Sequence, residues 1–331
     1  SMRRLLLLFK RLLILVALLL LSSMLLGTGG ESSDELAERV RVFTRDKEFN
    51  FVEWTLDAWM KKASQLALGS ENYLETEQRR QVVMDYLDLV WKMRVAEANL
   101  NDIFADPNII DPQVASSELR DELEALRSQR DQIALLAEAI LQDQVSNVVS
   151  DLGLTLGGQP IPPVLYHATE LPWALIVSPR EVIKQEADIS LVPELAVDQQ
   201  VLLEEQVDRG FDVSSVVVGI GGVGVYPTMV RETPDLNWLS EVIAHEWVHN
   251  FLTLRPLGLN YMSSVELRTM NETTASIAGV EIGMAVIEKY YPELMPPEEE
   301  VEPEAEPDAS QQPSEPEPYN FYKEMGITRV E

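Results

Sequence analysis

Two of the chain's three histidines stand four residues apart in Asp235-Leu-Asn-Trp-Leu-Ser-Glu-Val-Ile-Ala-His245-Glu246-Trp-Val-His249. This segment constrains the fold more than any other. Residues four apart share one face of a helix, so both imidazoles can reach one metal ion only if the stretch is helical. Pro234 and Asp235 are good opening residues, and the pattern predicts a helix over about 235–254. Trp238, Val242, His245, His249 and Leu252 fall on one stripe and turn the histidines inward. Glu246 projects to the side of the metal, where a carboxylate can take a proton from a bound water. A chance H-E-x-x-H in a chain of this length is expected roughly once in a hundred.

A catalytic zinc usually takes three protein ligands and keeps one position for water. The chain has no cysteine, which also removes disulfides and thiol nucleophiles. The third histidine, His167, reads as part of a Pro-flanked loop far upstream. A carboxylate is left. A second helix is expected over about 263–291, where Glu272, Ser276, Gly279 and Gly283 share a face. Its small residues allow close approach to the histidine helix, with Glu272 at one end of the contact. Glu272 is the leading third ligand, and Glu266 and Glu281 are the other options. Tyr261 and His167 are candidates to stabilise an oxyanion, and Glu241 is a candidate to orient a ligand from outside.

H-E-x-x-H followed on a later helix by N-E-x-x-A, here Asn271-Glu272-Thr273-Thr274-Ala275, resembles the gluzincin group of zincin metallopeptidases. The resemblance covers about Val213 to Tyr291. It implies Zn2+ held by His245, His249 and Glu272, with Glu246 as general base and a peptide or protein as substrate. It also implies a strand beside the cleft, within Val216 to Tyr226, that pairs with extended substrate. Ser276 stands where thermolysin-like members carry an acidic residue supporting a zinc histidine, and no aminopeptidase G-x-M-E-N motif precedes the helix. The alternative is a non-catalytic binding module on the same fold at the membrane surface, against which the intact Glu246 argues.

The expected fold is α+β: a zincin-like domain over 157–291, with a small mixed sheet, the histidine helix and the Glu-bearing helix, preceded by a long-helix hairpin region. In that region, 31–156, helices are expected over about 32–67, 75–104 and 114–152. Leu119, Leu126, Ile133 and Ile140 recur every seven residues, and Asp106-Pro107 and Asp111-Pro112 turn the chain between the last two helices. The hairpin can serve as a partner-docking stalk or as a layer packed on the catalytic domain. Trp173 to Val177 and Val213 to Ile220 read as strands, with a helix over about 194–207 between them. Gly219, Gly221, Gly222 and Gly224 do not form a dinucleotide fingerprint, because the spacing is wrong and Pro227 intervenes.

At the N-terminus, Arg3, Arg4, Lys10 and Arg11 precede an apolar run from Leu12 to Leu26. Residues 1–30 therefore read as a signal peptide or membrane anchor. The positive-inside rule then places the remainder on the extracytoplasmic face of a bacterial cell, membrane-anchored or secreted. Residues 292–319 hold eight prolines, ten acidic residues and no basic one, the composition of a disordered segment, and 320–331 form a tail. With 55 acidic against 26 basic residues the formal charge is −29, which excludes nucleic acid as a partner.

Overall fold

The computed structural model describes residues 31–296, save Ile183, Glu194 and Met262. The expectations for residues 1–30 and for 297–331 lie outside the described residues. Among the described residues no helix is long and apolar enough to cross a membrane.

The chain opens with α1 (Glu31–Thr44) and α2 (Phe51–Leu68). A single helix was expected over this stretch. It is broken because residues 47–49 run along a strand: Phe49 N–H donates to Ser190 O at 2.9 Å and Val192 N–H to Lys47 O at 2.8 Å. Asn50 then starts α2 by accepting from Glu53 N–H. Gly69, at φ +53°, ends it in the left-handed conformation that favours glycine.

α3 (Thr76–Ala105) and α4 (Ser117–Asp151) form the expected antiparallel hairpin. A single turn, Pro112–Ala115, precedes α4. Leu119, Leu126 and Leu123 pack against Met93, Ala96 and Leu100 in its outer half. In its inner half, Val83, Leu87 and Val90 of α3 and Ile140, Leu141 and Val145 of α4 are buried.

Six short strands follow: β1 (Tyr166–Thr169), β2 (Trp173–Pro179), β3 (Ala187–Leu191), β4 (Val213–Gly219), β5 (Gly222–Val223) and β6 (Thr228–Arg231). They make two three-stranded sheets, not the one small mixed sheet expected. One is antiparallel in the order β3-β2-β4. Val40 of α1 and Leu203 and Val207 of α5 (Val197–Phe211) pack on it with Leu175, Val177 and Leu191. The other is mixed, in the order β1-β6-β5, with β1 parallel and β5 antiparallel to β6. The stretch 216–226, within which a strand was expected, is divided between the sheets, because the chain turns at the glycines after Gly219. β1 also places His167 on a strand, where a loop was expected.

The chain closes with α6 (Leu236–Thr253) and α7 (Val265–Tyr290). Asp235 caps α6 by accepting from Trp238 N–H, and Ser264 caps α7 by accepting from Leu267 N–H. Pro292–Leu294 is a further helical turn, not the start of a disordered segment: Asn237 Nδ2 donates to Leu294 O at 3.0 Å, and Glu293 pairs with Arg80.

One hydrophobic core joins the hairpin to the C-terminal helices. Val83, Tyr86, Ile140 and Leu141 pack in the same cluster as Leu239, Ile243, Trp247, Ala275 and Ile282. The expected boundary at residue 156 therefore separates no two cores. Burial does most of this joining. Each large aliphatic side chain removed from water contributes about 1.5–3 kcal/mol. The half-exposed pairs Arg79–Asp143 and Lys289–Asp151 contribute at most about 1 kcal/mol each.

α4 also closes the open edge of β1. Glu138 and Gln142, one turn apart, accept from Ala168 N–H at 2.9 Å and Tyr166 N–H at 3.1 Å. An unprotected edge strand invites aggregation, and this one is satisfied by side chains. Glu138 is almost fully buried and pairs with the buried Lys62 of α2.

Candidate metal centre

α7 lies directly on α6, and glycine permits this at two points. A Cβ at Gly279 would sit 3.0 Å from His245 Cβ, and one at Gly283 would sit 2.8 Å from Glu241 Cα. Gly279 and Gly283 of the small-residue stripe read from the sequence therefore form the contact between the helices. It brings Glu272 over His245 and His249.

The three residues converge. His245 Nε2 and His249 Nε2 are 3.1 Å apart. Glu272 Oε2 is 3.4 Å from His249 Nε2 and 3.8 Å from His245 Nε2. Four ligands arranged tetrahedrally about a zinc ion at 2.0–2.1 Å would be separated by about 3.3 Å. The three observed separations bracket that value, so the donor set fits a zinc-sized cation. Among the described residues this is the one such cluster of His and acidic side chains. Glu266 and Glu281 are outside it.

The surroundings fix how two of these candidate ligands face. Asn271 is 1% exposed, and its Oδ1 lies 2.7 Å from His249 Nδ1. An amide oxygen accepts, so the proton of neutral His249 sits on Nδ1 and the Nε2 lone pair points into the cluster. Tyr261 donates its hydroxyl to Glu272 Oε1 at 2.6 Å, leaving Oε2 for the cluster. When His249 is protonated on both nitrogens, its hydrogen bond to Glu272 chiefly holds that carboxyl down at about 2, against opposing burial. Burial, with the neighbouring His249, lowers His245. For His249 burial acts downward, and the Glu272 contacts outweigh it and raise the group.

Glu246 is one residue beyond His245 and so about 100° further round α6. It is 8% exposed and faces the glycine turn after β4. A Cβ at Gly222 would lie 2.7 Å from Glu246 Oε1, and one at Gly224 would lie 3.4 Å from Oε2. Only glycine leaves the Glu246 carboxylate its place there. Burial raises this carboxyl to about 7. Asn250, one turn on, ties α6 to the same segment by donating to Thr228 Oγ1 at 3.2 Å and Val225 O at 3.4 Å.

The structure brings His245, Glu246, His249, Glu272 and Tyr261 together and leaves other candidates out. The Tyr261 hydroxyl, a candidate oxyanion donor, is engaged with the candidate ligand Glu272. Ser276 is exposed, and the buried group beside His249 is Asn271. Glu241 packs its backbone under Gly283, and burial raises its carboxyl. Its side chain makes no hydrogen bond to a histidine among the described residues.

His167 is elsewhere. It shares a row of its sheet with Met229 and Val223, whereas Gly222 shares the neighbouring row with Val230 and Ala168. Adjacent rows point to opposite faces, so His167 lies on the face away from Glu246. Its ring nitrogens meet Glu138 Oε1 at 2.8 Å and Lys61 Nζ at 3.1 Å.

Asn271 and Gly222 carry roles that the motif alone did not assign. The signal for Asn271 was its position one residue before Glu272, inside the helix contact. For Gly222 it was the glycine cluster ahead of the histidine helix. Searches against protein-family models, curated proteins and solved structures found no match to this chain.

Proposed function

We propose that the chain is a zincin-like peptidase that hydrolyses peptide bonds with Zn2+ held by His245, His249 and Glu272. The observation that carries this reading is the convergence of two imidazole nitrogens and one carboxylate oxygen beside the buried Glu246, whose side chain makes no hydrogen bond among the described residues. Bound there, zinc would polarise the scissile carbonyl and acidify a water molecule.

The chain's own residues supply the rest. Glu246 takes a proton from the attacking water as oxygen adds to the carbonyl carbon, then delivers it to the amine nitrogen as the C–N bond breaks. Burial disfavours the charged form of this carboxyl and so favours its taking up the proton. Asn271 and Tyr261 hold His249 and Glu272 in register. β5 is the last strand of its sheet and lies beside Glu246, so its outer edge is placed to pair with an extended peptide. An extracytoplasmic setting rests on the N-terminal sequence alone.

The test is cleavage of a broad peptide library by zinc-loaded wild type and by Glu246→Gln. The reading expects zinc in both and cleavage by wild type alone. Zinc binding without Glu246-dependent cleavage would replace the peptidase with a binding module.

A further inference from the structure

A cavity of about 910 Å³ lies apart from the metal centre, walled by α2, α3, α4, β1 and the ends of β2, β4 and β6. Its volume is within the range of small-molecule sites, about 300–1,000 Å³. Basic side chains gather there: Lys61, Arg94, Arg127, Arg130 and Arg231. Glu97, Asp131, Glu138, Glu170 and Glu232 also line the cavity, so the wall is balanced in charge within a chain of net charge −29.

Three of the five are already committed. Lys61 pairs with Asp57 at 2.7 Å, Arg127 with Glu97 at 2.9 Å, and Arg130 with both Asp131 and Glu232. Arg94 and Arg231 differ. Arg94 Nη2 donates to the main-chain oxygen of Glu232 at 2.6 Å, and Arg231 donates to that of Ile220. Neither has a carboxylate partner among the described residues. The Glu232 carboxylate beside them is held by Arg130 and by the Tyr86 hydroxyl. Glu170, the remaining acidic group of the wall, is exposed and has no side-chain partner among the described residues.

Two guanidinium groups are thus set near each other, backed by carbonyls and open to the cavity, and each retains free donors. Gly219 makes room for this: a Cβ there would lie 3.2 Å from Arg231 Nη2. The same wall carries flat apolar surface. Trp173 anchors its indole N–H to Pro193 O at 3.0 Å, and Trp54 leans over the His167 ring with centroids 6.0 Å apart.

We propose that this cavity is a second binding site, and that it takes a small organic oxyanion, a carboxylate or phosphate monoester carrying a flat apolar body. Arg94 and Arg231 hold the oxyanion through the forked, charge-assisted contacts that guanidinium makes with such groups. Trp54 and Trp173 cover the body. The site is independent of the metal centre and does not rest on the peptidase reading. Gly219 and Ile220 line the cavity, while Gly222 and Gly224 of the same turn touch Glu246.

Calorimetric titration of the full chain with phenyl phosphate and with 3-phenylpropionate tests the proposal. Inorganic phosphate and benzyl alcohol serve as the anion-only and body-only arms. The expected result is saturable one-to-one binding of at least one aromatic anion, at least tenfold tighter than either arm and weakened by salt. In R94Q/R231Q that binding falls at least tenfold while zinc binding is unchanged. Should the double variant fold poorly, Arg94→Gln alone carries the comparison, since this exposed side chain makes a single contact to a carbonyl. Absence of saturable binding by both aromatic anions would overturn the proposal. So would equal binding of benzyl alcohol, or equal binding by a folded arginine variant.

Discussion

Asn271 Oδ1 receives the Nδ1 proton of His249 at 2.7 Å, from the residue immediately before Glu272. One helical step of α7 therefore supplies both a candidate ligand and the group that decides which nitrogen of the neighbouring ligand is bare. Groups that orient a ligating histidine typically contribute 10–100-fold to metal affinity. Asn271→Ala is expected to weaken zinc binding by about that factor, whereas Asn271→Asp, which keeps an acceptor, should stay near wild type. Competition with a chromophoric chelator reads both. Equal affinity in all three proteins would show that the contact does not orient His249.

Gly222 is expected to matter for turnover and not for metal. A Cβ there would fall 2.7 Å from Glu246 Oε1, so Gly222→Ala must displace the carboxylate. A displacement of about 1 Å can cost on the order of 10²-fold in rate. Peptide turnover should drop by roughly that factor at unchanged zinc stoichiometry. Unchanged turnover would mean that Glu246 has room elsewhere or is not the base.

The contact between α6 and α7 should be intolerant at Gly283. The atoms a Cβ would meet are Glu241 Cα and N, both 2.8 Å away, and main chain cannot swing aside. Overpacking of this kind costs about 1–3 kcal/mol. Gly283→Ala is expected to lower the urea midpoint accordingly and to weaken zinc binding, since Glu272 would lift from the histidines. A neutral effect on both would contradict the close approach.

Acid should expose the buried Lys62–Glu138 pair. Burial alone would raise the Glu138 carboxyl, but the Lys62 charge and the His167 contact outweigh it and hold it at about 2. The group's ordinary value is 4.5, so as pH falls the unfolded chain takes up this proton first. The stability contributed by Glu138 is therefore complete above about pH 5 and drains as pH falls from 4.5 towards 2. Glu138→Gln should be destabilised at neutral pH by about 3–5 kcal/mol, because Lys62 is left buried and uncompensated. The gap to wild type should narrow in acid. Urea unfolding of both proteins between pH 7 and 3 measures it, and a gap that stays constant would contradict the assignment.

Much of this was legible because helix periodicity is local. The hairpin over α3 and α4 and the helices carrying His245 and Glu272 follow from apolar spacing, capping residues and small residues on one face. The convergence of His245, His249 and Glu272 needed only that two adjacent helices meet along Gly279 and Gly283. β1, β3 and β6 were not visible, because four or five residues such as Tyr166–Thr169 carry too little alternation, and β1 and β6 pair with each other from distant parts of the sequence. The break between α1 and α2 was hidden for the same reason: it depends on residues 47–49 meeting Ser190 and Val192. Ser276 misled because spacing along one helix says nothing about the rotation of that helix against its neighbour. The observed rotation buries Asn271 and Ala275 and leaves Ser276 in solvent.

Zinc stoichiometry tests the central claim most directly. After exhaustive chelation and dialysis against buffered Zn2+, the wild-type chain is expected to retain one zinc per molecule, and His245→Ala, His249→Ala and Glu272→Ala each to lose most of that affinity while remaining folded. Failure of the folded wild-type chain to retain zinc, or retention undiminished by all three substitutions, would contradict it.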